Sequence, residues 1–313
     1  MSKQWGGWFA ALLLTAGSAG APAAPRPAVA AAALVEGLCG ELAARIKGFD
    51  AEQCRLAGLN STAARSTQGN PLLLRDVPAT ASGTAPPPRI LVLGGIHGDE
   101  YSAVVVAFQW IERLKGDRFQ RFQWRVLPCV NPDGLLAEPS HRTNAHGVDL
   151  NRNFPTPDWG DHAISYWRDK TRSDPRRFPG KSAGSEAETR WIIEQIRSYK
   201  PDAIVSLHAP LNLLDFDGPY TPPSKLGYLH LSPIGTYPGS LGGYAGMYLK
   251  LPVFTPELPT AQHSPSAEQS GRILSDLIDW LNKSLPEHGR PSPGVASGQA
   301  PGGLSLARGY TAD

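Results

Sequence analysis

The sequence predicts an α/β fold, a single domain in which a mixed, largely parallel sheet is flanked by helices. Short apolar runs of strand length alternate with longer segments of helical periodicity, an order that is typical of parallel strands joined by helices. Of the 313 residues, 41% are hydrophobic and 19% are charged, which is enough apolar material for one large core. The net charge is only +2 and no basic run occurs, so neither a nucleic acid nor a membrane surface is the expected partner.

The first 30 residues are typical of a signal peptide. Lys3 provides a positive charge, residues 8–16 form a short apolar segment, and several Ala-x-Ala motifs follow, which leave the cleavage site open. No apolar segment reaches the roughly 18 residues that a membrane-spanning helix needs. We therefore expect an exported protein, located in the periplasm, without an integral membrane segment in its mature form.

Residues 31–68 are predicted to form an N-terminal helical segment, with one or two short helices around two cysteines and a polar loop over 60–70. Export places the chain in an oxidising compartment, where disulfides persist. Cys39 and Cys54 lie close together in this segment and are the candidate disulfide pair. Cys129 lies in an apolar run instead, and we expect it to be a buried free thiol.

Residues 69–285 contain the predicted sheet and its helices. Ser185 and Glu188 predict a capping box at the start of the second helix. Residues 286–313 are rich in proline and glycine, have no apolar periodicity and are predicted to be disordered. The predicted strands cover residues 72–74, 90–93, 125–130, 203–207 and 253–254, and the predicted helices cover residues 102–115, 186–199 and 267–285.

Polar side chains that can bind a metal or move a proton follow three of the predicted strands. They are His97 and Glu100 after the second strand, His208 after the fourth and Glu257 after the fifth. Because ligands bind outside the carboxyl ends of parallel strands, we expect these side chains to lie close together. A catalytic zinc takes three protein ligands, commonly two histidines and a carboxylate, which makes His97, Glu100 and His208 the candidates. Glu257 is then the candidate general base.

Four motifs follow one another along the chain, namely Gly94–Glu100, Asn131–Gly134, Arg142–Asn144 and Gly147–Pro155. Together they resemble the zinc carboxypeptidases of the M14 family, and most closely its short bacterial murein peptide amidases, which cut the bond between γ-D-glutamate and meso-diaminopimelate. The resemblance covers residues 69–285. It implies a zinc carboxypeptidase-like fold, one zinc ion per chain and a murein peptide as the substrate.

The resemblance also implies a role for each residue at the strand ends. His97, Glu100 and His208 correspond to the zinc ligands, and Glu257 corresponds to the general base that acts on a zinc-activated water. Arg142 takes the position of the arginine that polarises the scissile carbonyl.

Two further residues of the fourth motif, Asn151 and Arg152, match the pair that holds the terminal carboxylate of the substrate. The forked, permanently charged donors of a guanidinium suit this task. In the family, a tyrosine in the loop before the catalytic glutamate covers the substrate. The resemblance assigns this role to Tyr237, with the nearby Tyr244 as the alternative.

Three other functions stay open at this point. The chain could be a general carboxypeptidase that acts on α-linked peptides, or a zinc deacylase of N-acyl amino acids, which shares the H-x-x-E turn. It could also be an inactive peptidoglycan-binding module, although such a module is expected to lack a metal ligand or the base. A murein peptidase fills the largest number of site roles, so it is the function that the sequence favours.

Overall fold

The computed structural model describes Met1 and residues 27–80, 86–116 and 121–285. Most of the predicted signal peptide, residues 2–26, lies outside this part of the chain, and so does the predicted tail, residues 286–313. Among the helices that the structure describes, none is both long enough and apolar enough to cross a membrane.

Helices and strands follow one another in the order expected of an α/β fold. The helices are α1 (Pro27–Arg45), α2 (Ala51–Leu56), α3 (Tyr101–Arg113), α4 (Pro132–Leu136), α5 (Trp159–Lys170), α6 (Ala187–Tyr199) and α7 (Ala267–Ser284). The strands are β1 (Asn60–Arg65), β2 (Pro71–Val77), β3 (Arg89–Leu93), β4 (Gln123–Leu127), β5 (Ala203–Ser206), β6 (Leu213–Asp217), β7 (Lys225–Leu226), β8 (Leu229–His230) and β9 (Val253–Glu257). Short 3-10 turns cover Leu150–Arg152 and Pro175–Arg177, and a π-helix covers Gly242–Tyr248.

The strands form a seven-stranded sheet in the order β1-β2-β4-β3-β5-β9-β6, and β7 and β8 form a separate ribbon. The four central strands, β4, β3, β5 and β9, run parallel to one another. The outer strands β1, β2 and β6 pair in the antiparallel direction. The predicted fold class, a mixed sheet with a parallel centre flanked by helices, is therefore confirmed.

Helices cover both faces of the sheet. Alternate residues of each central strand point to opposite faces and so pack against different helices. In β3, Ile90 and Val92 pack in one apolar cluster with α3 and α7, whereas Leu91 and Leu93 pack with α6 in a second cluster. A strand that is buried on both faces has an uninterrupted apolar sequence, and the apolar run over residues 90–93 therefore predicts β3. Its next polar residues fall at the carboxyl edge of the sheet.

The polar segment after the second cysteine is a loop only over residues 66–70, and residues 60–65 of the predicted loop over 60–70 form a strand. This strand is β1, which pairs with β2 at the edge of the main sheet. None of the six residues of β1 is fully buried, so the strand has no apolar run from which it could be predicted. The predicted segment 31–68 therefore contributes a strand to the same sheet as residues 69–285.

β4 ends at Leu127, earlier than the predicted run over 125–130. The amide of Gly94 donates to the carbonyl of Leu127 at 2.8 Å, and the amide of Val130 donates to the carbonyl of Gly94 at 3.1 Å. The chain after Leu127 is thus bonded to the turn that follows β3 and does not continue as a strand. These two hydrogen bonds fix the turn in which His97 lies.

The capping box that Ser185 and Glu188 predict is absent at the start of α6. The Glu188 carboxylate accepts hydrogen bonds from the amide of Thr67 at 2.7 Å and from Nδ2 of Asn144 at 3.0 Å. Glu188 is fully buried, so these distant partners satisfy it in place of the local cap. The side chain ties α6 to the β1–β2 turn and to the loop after α4.

A disulfide joins the two N-terminal helices, with Cys39 in α1 and Cys54 in α2. Both cysteines pack in the same apolar cluster as the sheet and α3. At the end of α1, Arg45 donates to the carbonyl of Leu136 at 2.8 Å and so fastens the helix to α4. Cys129 is buried and unbonded, and burial raises the pKa of its thiol to about 12.

We expect Cys39 and Cys54 to be oxidised in the purified protein, while Cys129 stays reduced. The sulfurs close a loop with a sequence separation of 15, and such a bond stabilises a fold by on the order of 3 kcal/mol in the chain-entropy model. Thiol titration of the denatured, non-reduced protein should find one free cysteine, and a Cys129→Ser variant should have none. Three titrated thiols in the wild type would contradict the disulfide.

Candidate functional site

Three neighbouring parallel strands deliver four polar side chains to one edge of the sheet. His97 lies in the turn after β3, His208 lies two residues after β5, and Glu257 is the last residue of β9. Since β5 pairs with β3 on one side and with β9 on the other, their carboxyl ends lie next to one another. The sequence-based expectation that these side chains converge agrees with this arrangement.

Glycines allow the turn after β3 to pack tightly. A Cβ atom on Gly98 would lie 2.3 Å from the carbonyl carbon of Gly134, so the two backbones are in direct contact there. The side chain of Asn131 closes the same contact by donating to the carbonyls of Ile96 at 3.3 Å and Arg142 at 3.2 Å. The Asn131–Gly134 motif thus packs against the turn that contains His97 and stabilises it.

Glu100 occupies the N-cap position of α3 but does not cap the helix. Its carboxylate contacts both imidazoles, with Oε1 at 2.8 Å from Nδ1 of His97 and Oε2 at 3.2 Å from Nδ1 of His208. The two Nδ1 atoms are 3.1 Å apart. All three side chains are buried, and their ligand atoms lie within 4.8 Å of one another. Two imidazoles and a carboxylate in this arrangement could hold a metal ion.

The other nitrogen of each imidazole has a partner of its own. Nε2 of His97 lies 3.2 Å from Oδ1 of Asp149, and Nε2 of His208 lies 3.0 Å from Oγ of Ser206. Both nitrogens of His97 therefore lie near a carboxylate oxygen, and with a metal ion at Nδ1 the proton would be on Nε2, where Asp149 can accept it. Histidines that bind a metal are oriented in this way, so the donor set fits a divalent ion such as zinc.

The charges around the cluster separate the two glutamates. Burial by itself raises the pKa of Glu100, but His97 and His208 outweigh it and lower the pKa, so Glu100 is ionised as a ligand must be. Burial raises the pKa of Glu257, and the negative charge of Glu100 adds to this rise. Paired carboxyl groups whose pKa values are driven apart are typical of sites that divide binding and acid-base work between them.

Glu257 is held beside His208 by the backbone of the sheet. The amide of His208 donates to the carbonyl of Pro256 at 3.0 Å, and the amide of Leu258 donates to the carbonyl of His208 at 2.7 Å. The Glu257 side chain is only 7% exposed and lines the same cavity as the cluster. A carboxylate next to a candidate ligand could accept a proton from a water in the cavity.

Arg142 lies beside the cluster and is fixed by Asp149. Its Nε atom donates to Oδ2 of Asp149 at 2.9 Å, and Nη1 lies 3.6 Å from Oε1 of Glu100. Asp149 is fully buried between Arg142 and His97. Burial alone would raise its pKa, but these two side chains outweigh burial and lower the pKa well below the usual range. Asp149 therefore orients a candidate metal ligand and an arginine at the same time.

Asn151 and Arg152 belong to the 3-10 turn that follows Asp149. Oδ1 of Asn151 accepts a hydrogen bond from the amide of Leu241 at 2.8 Å, which joins this turn to the start of the π-helix. The guanidinium carbon of Arg152 lies 4.3 Å from the ring centre of Tyr237. Nε of Arg152 is buried and has no partner among the described residues, so the side chain retains donor capacity.

One cavity of about 370 Å³ contains all of these groups. Of the two candidate tyrosines, Tyr237 lines it, whereas Tyr244 stacks on Phe154 with ring centres 5.8 Å apart and is buried in the core. The cavity brings together all eight residues that the sequence singles out: His97, Glu100, Arg142, Asn151, Arg152, His208, Tyr237 and Glu257.

Sequence analysis missed several residues of the cavity and its support. Asp149 and Ser206, which orient the histidines, were not identified, and neither were the cavity residues Arg176, Asp215 and Asp217. Asp149 lies within the motif Gly147–Pro155. Asp215 and Asp217 are two residues apart in β6, so these two aspartates point to the same face of the sheet. The alternation was a usable signal for the two aspartates, but Arg176 lies in a polar loop that had none.

Comparison with known proteins agrees with this geometry. A family model described as zinc carboxypeptidase, Peptidase M14, matches residues 52–224. Murein peptide amidase A of Escherichia coli (strain K12) is 31% identical over 226 residues, which cover 70% of this chain and 89% of that protein. Murein peptide amidase A of Vibrio campbellii is 32% identical over 203 residues, or 62% of this chain and 77% of that protein. The crystal structure of carboxypeptidase A from Helicoverpa armigera has the same fold, with a TM-score of 0.55 at 19% identity over 80% of this chain and 79% of that chain.

Proposed function

The chain belongs to the M14 family of zinc carboxypeptidases, and from this premise we propose that it hydrolyses the bond between γ-D-glutamate and meso-diaminopimelate in murein peptides. The relatives named murein peptide amidase A support the substrate class, and all eight site residues line one cavity. An inactive binding module is not favoured, because the three candidate ligands and the candidate base are all present.

The distribution of charge in the cavity is the observation that carries the choice of substrate. Arg152 lines the cavity, and Asp215 and Asp217 of β6 contribute two carboxylates to it. The side chain of Asp217 accepts no hydrogen bond from any described residue, and burial, with Asp215 beside it, raises its pKa to about 7. The described residues provide no ion pair for this carboxyl group, so it can pair with a positively charged group of the substrate. Diaminopimelate carries a side-chain ammonium besides its carboxylates, which suits this cavity better than an apolar residue does.

Each residue of the proposed site has a separate task in the mechanism. Zn²⁺ held by His97, Glu100 and His208 would supply Lewis-acid chemistry toward a water molecule and the scissile carbonyl. Glu257 accepts a proton from the attacking water and returns it to the nitrogen of the leaving amine. Arg142, already fixed by Asp149 through its Nε atom, donates from its free Nη2 to the carbonyl oxygen as negative charge develops there.

The leaving residue is positioned by Asn151, Arg152 and Tyr237. Arg152 and Asn151 hold the carboxylate of diaminopimelate, and the ring of Tyr237 supports the guanidinium from the side. Burial lowers the pKa of Arg152, and a bound carboxylate compensates that cost by pairing with the cation.

We also propose that the protein is exported to the periplasm. The N-terminal sequence supports this location, because it has a positive residue, a short apolar segment and Ala-x-Ala motifs. The disulfide between Cys39 and Cys54 agrees with an oxidising compartment. Murein lies in that compartment, so the enzyme and its proposed substrate would meet there.

A panel of three peptides tests the proposed function. We expect L-Ala-γ-D-Glu-meso-diaminopimelate to be cleaved with a higher kcat/KM than the same peptide with an amidated diaminopimelate carboxylate, and than an α-linked tripeptide that ends in phenylalanine. Loss of a charged hydrogen bond should cost at least about tenfold for the amidated peptide. Release of diaminopimelate, followed by chromatography, measures each rate.

Two variants extend this test. Arg152→Lys should lose activity to a similar extent, because an ammonium cannot replace the planar fork, whereas Arg168→Lys should behave as the wild type. Arg168 is an exposed arginine that pairs with Asp169 and does not line the cavity. Faster cleavage of the phenylalanine peptide would identify a general carboxypeptidase, and equal rates on the free and amidated peptides would contradict the role of Arg152.

A further inference from the structure

We propose that Arg176 is a specificity residue that binds the free α-carboxylate of the D-glutamyl residue on the acyl side of the scissile bond. This inference rests on the proposed function, since it concerns a γ-linked substrate. A glutamyl residue that is linked through its side-chain carbonyl keeps its α-carboxylate, three carbon atoms away from the scissile carbonyl carbon. In an α-linked peptide a carboxylate has this separation only when the acyl residue is itself a glutamate, and it is then the side-chain carboxylate.

The guanidinium of Arg176 lines the cavity that contains the candidate metal ligands, and a hydrogen bond to Asp99 holds it. Nη2 donates to Oδ2 of Asp99 at 2.7 Å, and Asp99 directly precedes the candidate ligand Glu100. The backbone of Asp99 is held in turn, because Nε2 of Gln262 donates to its carbonyl at 3.1 Å. Arg176 lines the same cavity as the candidate ligands. Asp99, which accepts the hydrogen bond from Arg176, does not line the cavity.

The loop that carries Arg176 is constrained by its backbone. Arg172 and Ser173 are successive non-glycine residues with φ of 56° and 55°, a left-handed conformation that is costly for both. Nε1 of Trp167 donates to the carbonyl of Asp174 at 2.8 Å, and Oδ1 of Asp174 accepts from the amide of Arg176 at 2.9 Å. These bonds maintain the strained path, so the position of Arg176 is built into the loop.

Arg176 keeps most of its donors available. A guanidinium has five N–H groups in a planar fork, and Asp99 is the only described partner of this side chain. The neighbouring Arg177 pairs with Asp174 at 3.4 Å. Arg152, the proposed partner of the leaving residue, lies over the ring of Tyr237, whereas Arg176 contacts Asp99, which directly precedes Glu100. Because Arg152 already holds the leaving residue, we assign Arg176 to the acyl side.

The experiment compares two γ-linked tripeptides that differ only in the α-group of D-glutamate, one with the free carboxylate and one with the carboxamide of D-isoglutamine. We expect the zinc-loaded wild type to prefer the free acid by about tenfold or more in kcat/KM, mostly through KM. Arg176→Gln should lose this preference by binding the acid less tightly, with little change toward the amide. Arg168→Gln, the matched exposed control, should keep it.

Binding of the acyl product gives a second measurement that does not depend on turnover. Calorimetry with the dipeptides L-Ala-γ-D-Glu and L-Ala-γ-D-isoglutamine should show tighter binding of the acid to the wild type, and equal binding of both to Arg176→Gln. A preference that survives in Arg176→Gln, or is absent from the wild type, would overturn the inference. Failure to cleave either tripeptide would instead contradict the proposed function, while the calorimetry still decides the role of Arg176.

Discussion

Replacing Glu257 with glutamine is expected to lower kcat on the murein tripeptide by about 10²–10⁴-fold while the bound zinc is retained. The amide has the size of the carboxylate but cannot accept the proton of the attacking water. Among the described residues, the side chain of Glu257 makes one long hydrogen bond, at 3.5 Å from the amide of Leu211, so the substitution disturbs few contacts of the fold. Glu257 is not one of the three candidate metal ligands, so the metal content should be unchanged.

Metal analysis and steady-state kinetics on the same preparations separate these two effects. Glu268→Gln is a suitable control, because Glu268 is an exposed residue of α7 whose ion pair within the described part of the chain is with Arg272. The control should match the wild type in both measurements. If Glu257→Gln kept more than about a tenth of the wild-type kcat, Glu257 would not be the general base.

Replacing His97 with alanine is expected to remove the zinc and to reduce hydrolysis to the background level. The substitution leaves two protein ligands, whereas catalytic zinc sites use three. It also leaves Asp149 without one of its partners, although the contact with Arg142 at 2.9 Å keeps that carboxylate paired. The fold should therefore survive, which circular dichroism and the melting temperature can establish.

The control for this variant is His162→Ala, which removes an exposed histidine of α5. We expect about one zinc per chain in the wild type and in the control, and substoichiometric zinc in His97→Ala. Stoichiometric zinc in a folded His97→Ala protein would rule out the proposed ligand set.

The centre of the sheet and the metal cluster could be predicted from the sequence for the same physical reason. A parallel strand that is buried on both faces is a continuous apolar run, and its carboxyl end is marked by the first polar residues after it. His208 follows such a run directly, and His97 follows another after a glycine-rich turn. Neighbouring strands then bring both residues to one edge, which requires no knowledge of the side-chain contacts.

Elements such as β1 and α5, and the contacts of several single residues, could not be predicted, because only distant contacts explain their sequences. β1 is an edge strand with polar residues, and α5 buries only Trp159 and Ala163, so neither has a strong apolar pattern. Glu188 suggested a local cap but is satisfied by partners from other loops. The tasks of Asp149 and Ser206 depend on which nitrogen of each histidine faces the cluster, and that information is purely three-dimensional.

The pairing of β5 with β9 also determines where this enzyme can tolerate changes in length during evolution. His208 and Glu257 are bridged across adjacent parallel strands, so the separation of ligand and base is set by the spacing of the sheet, about 4.8 Å. An insertion or deletion of one residue in either strand would turn one side chain to the opposite face and shift it by about 3.3 Å. Loops between the strands have no such restriction. Homologous enzymes should therefore differ in length within residues 218–240, while the segments 203–208 and 253–257 keep a constant length.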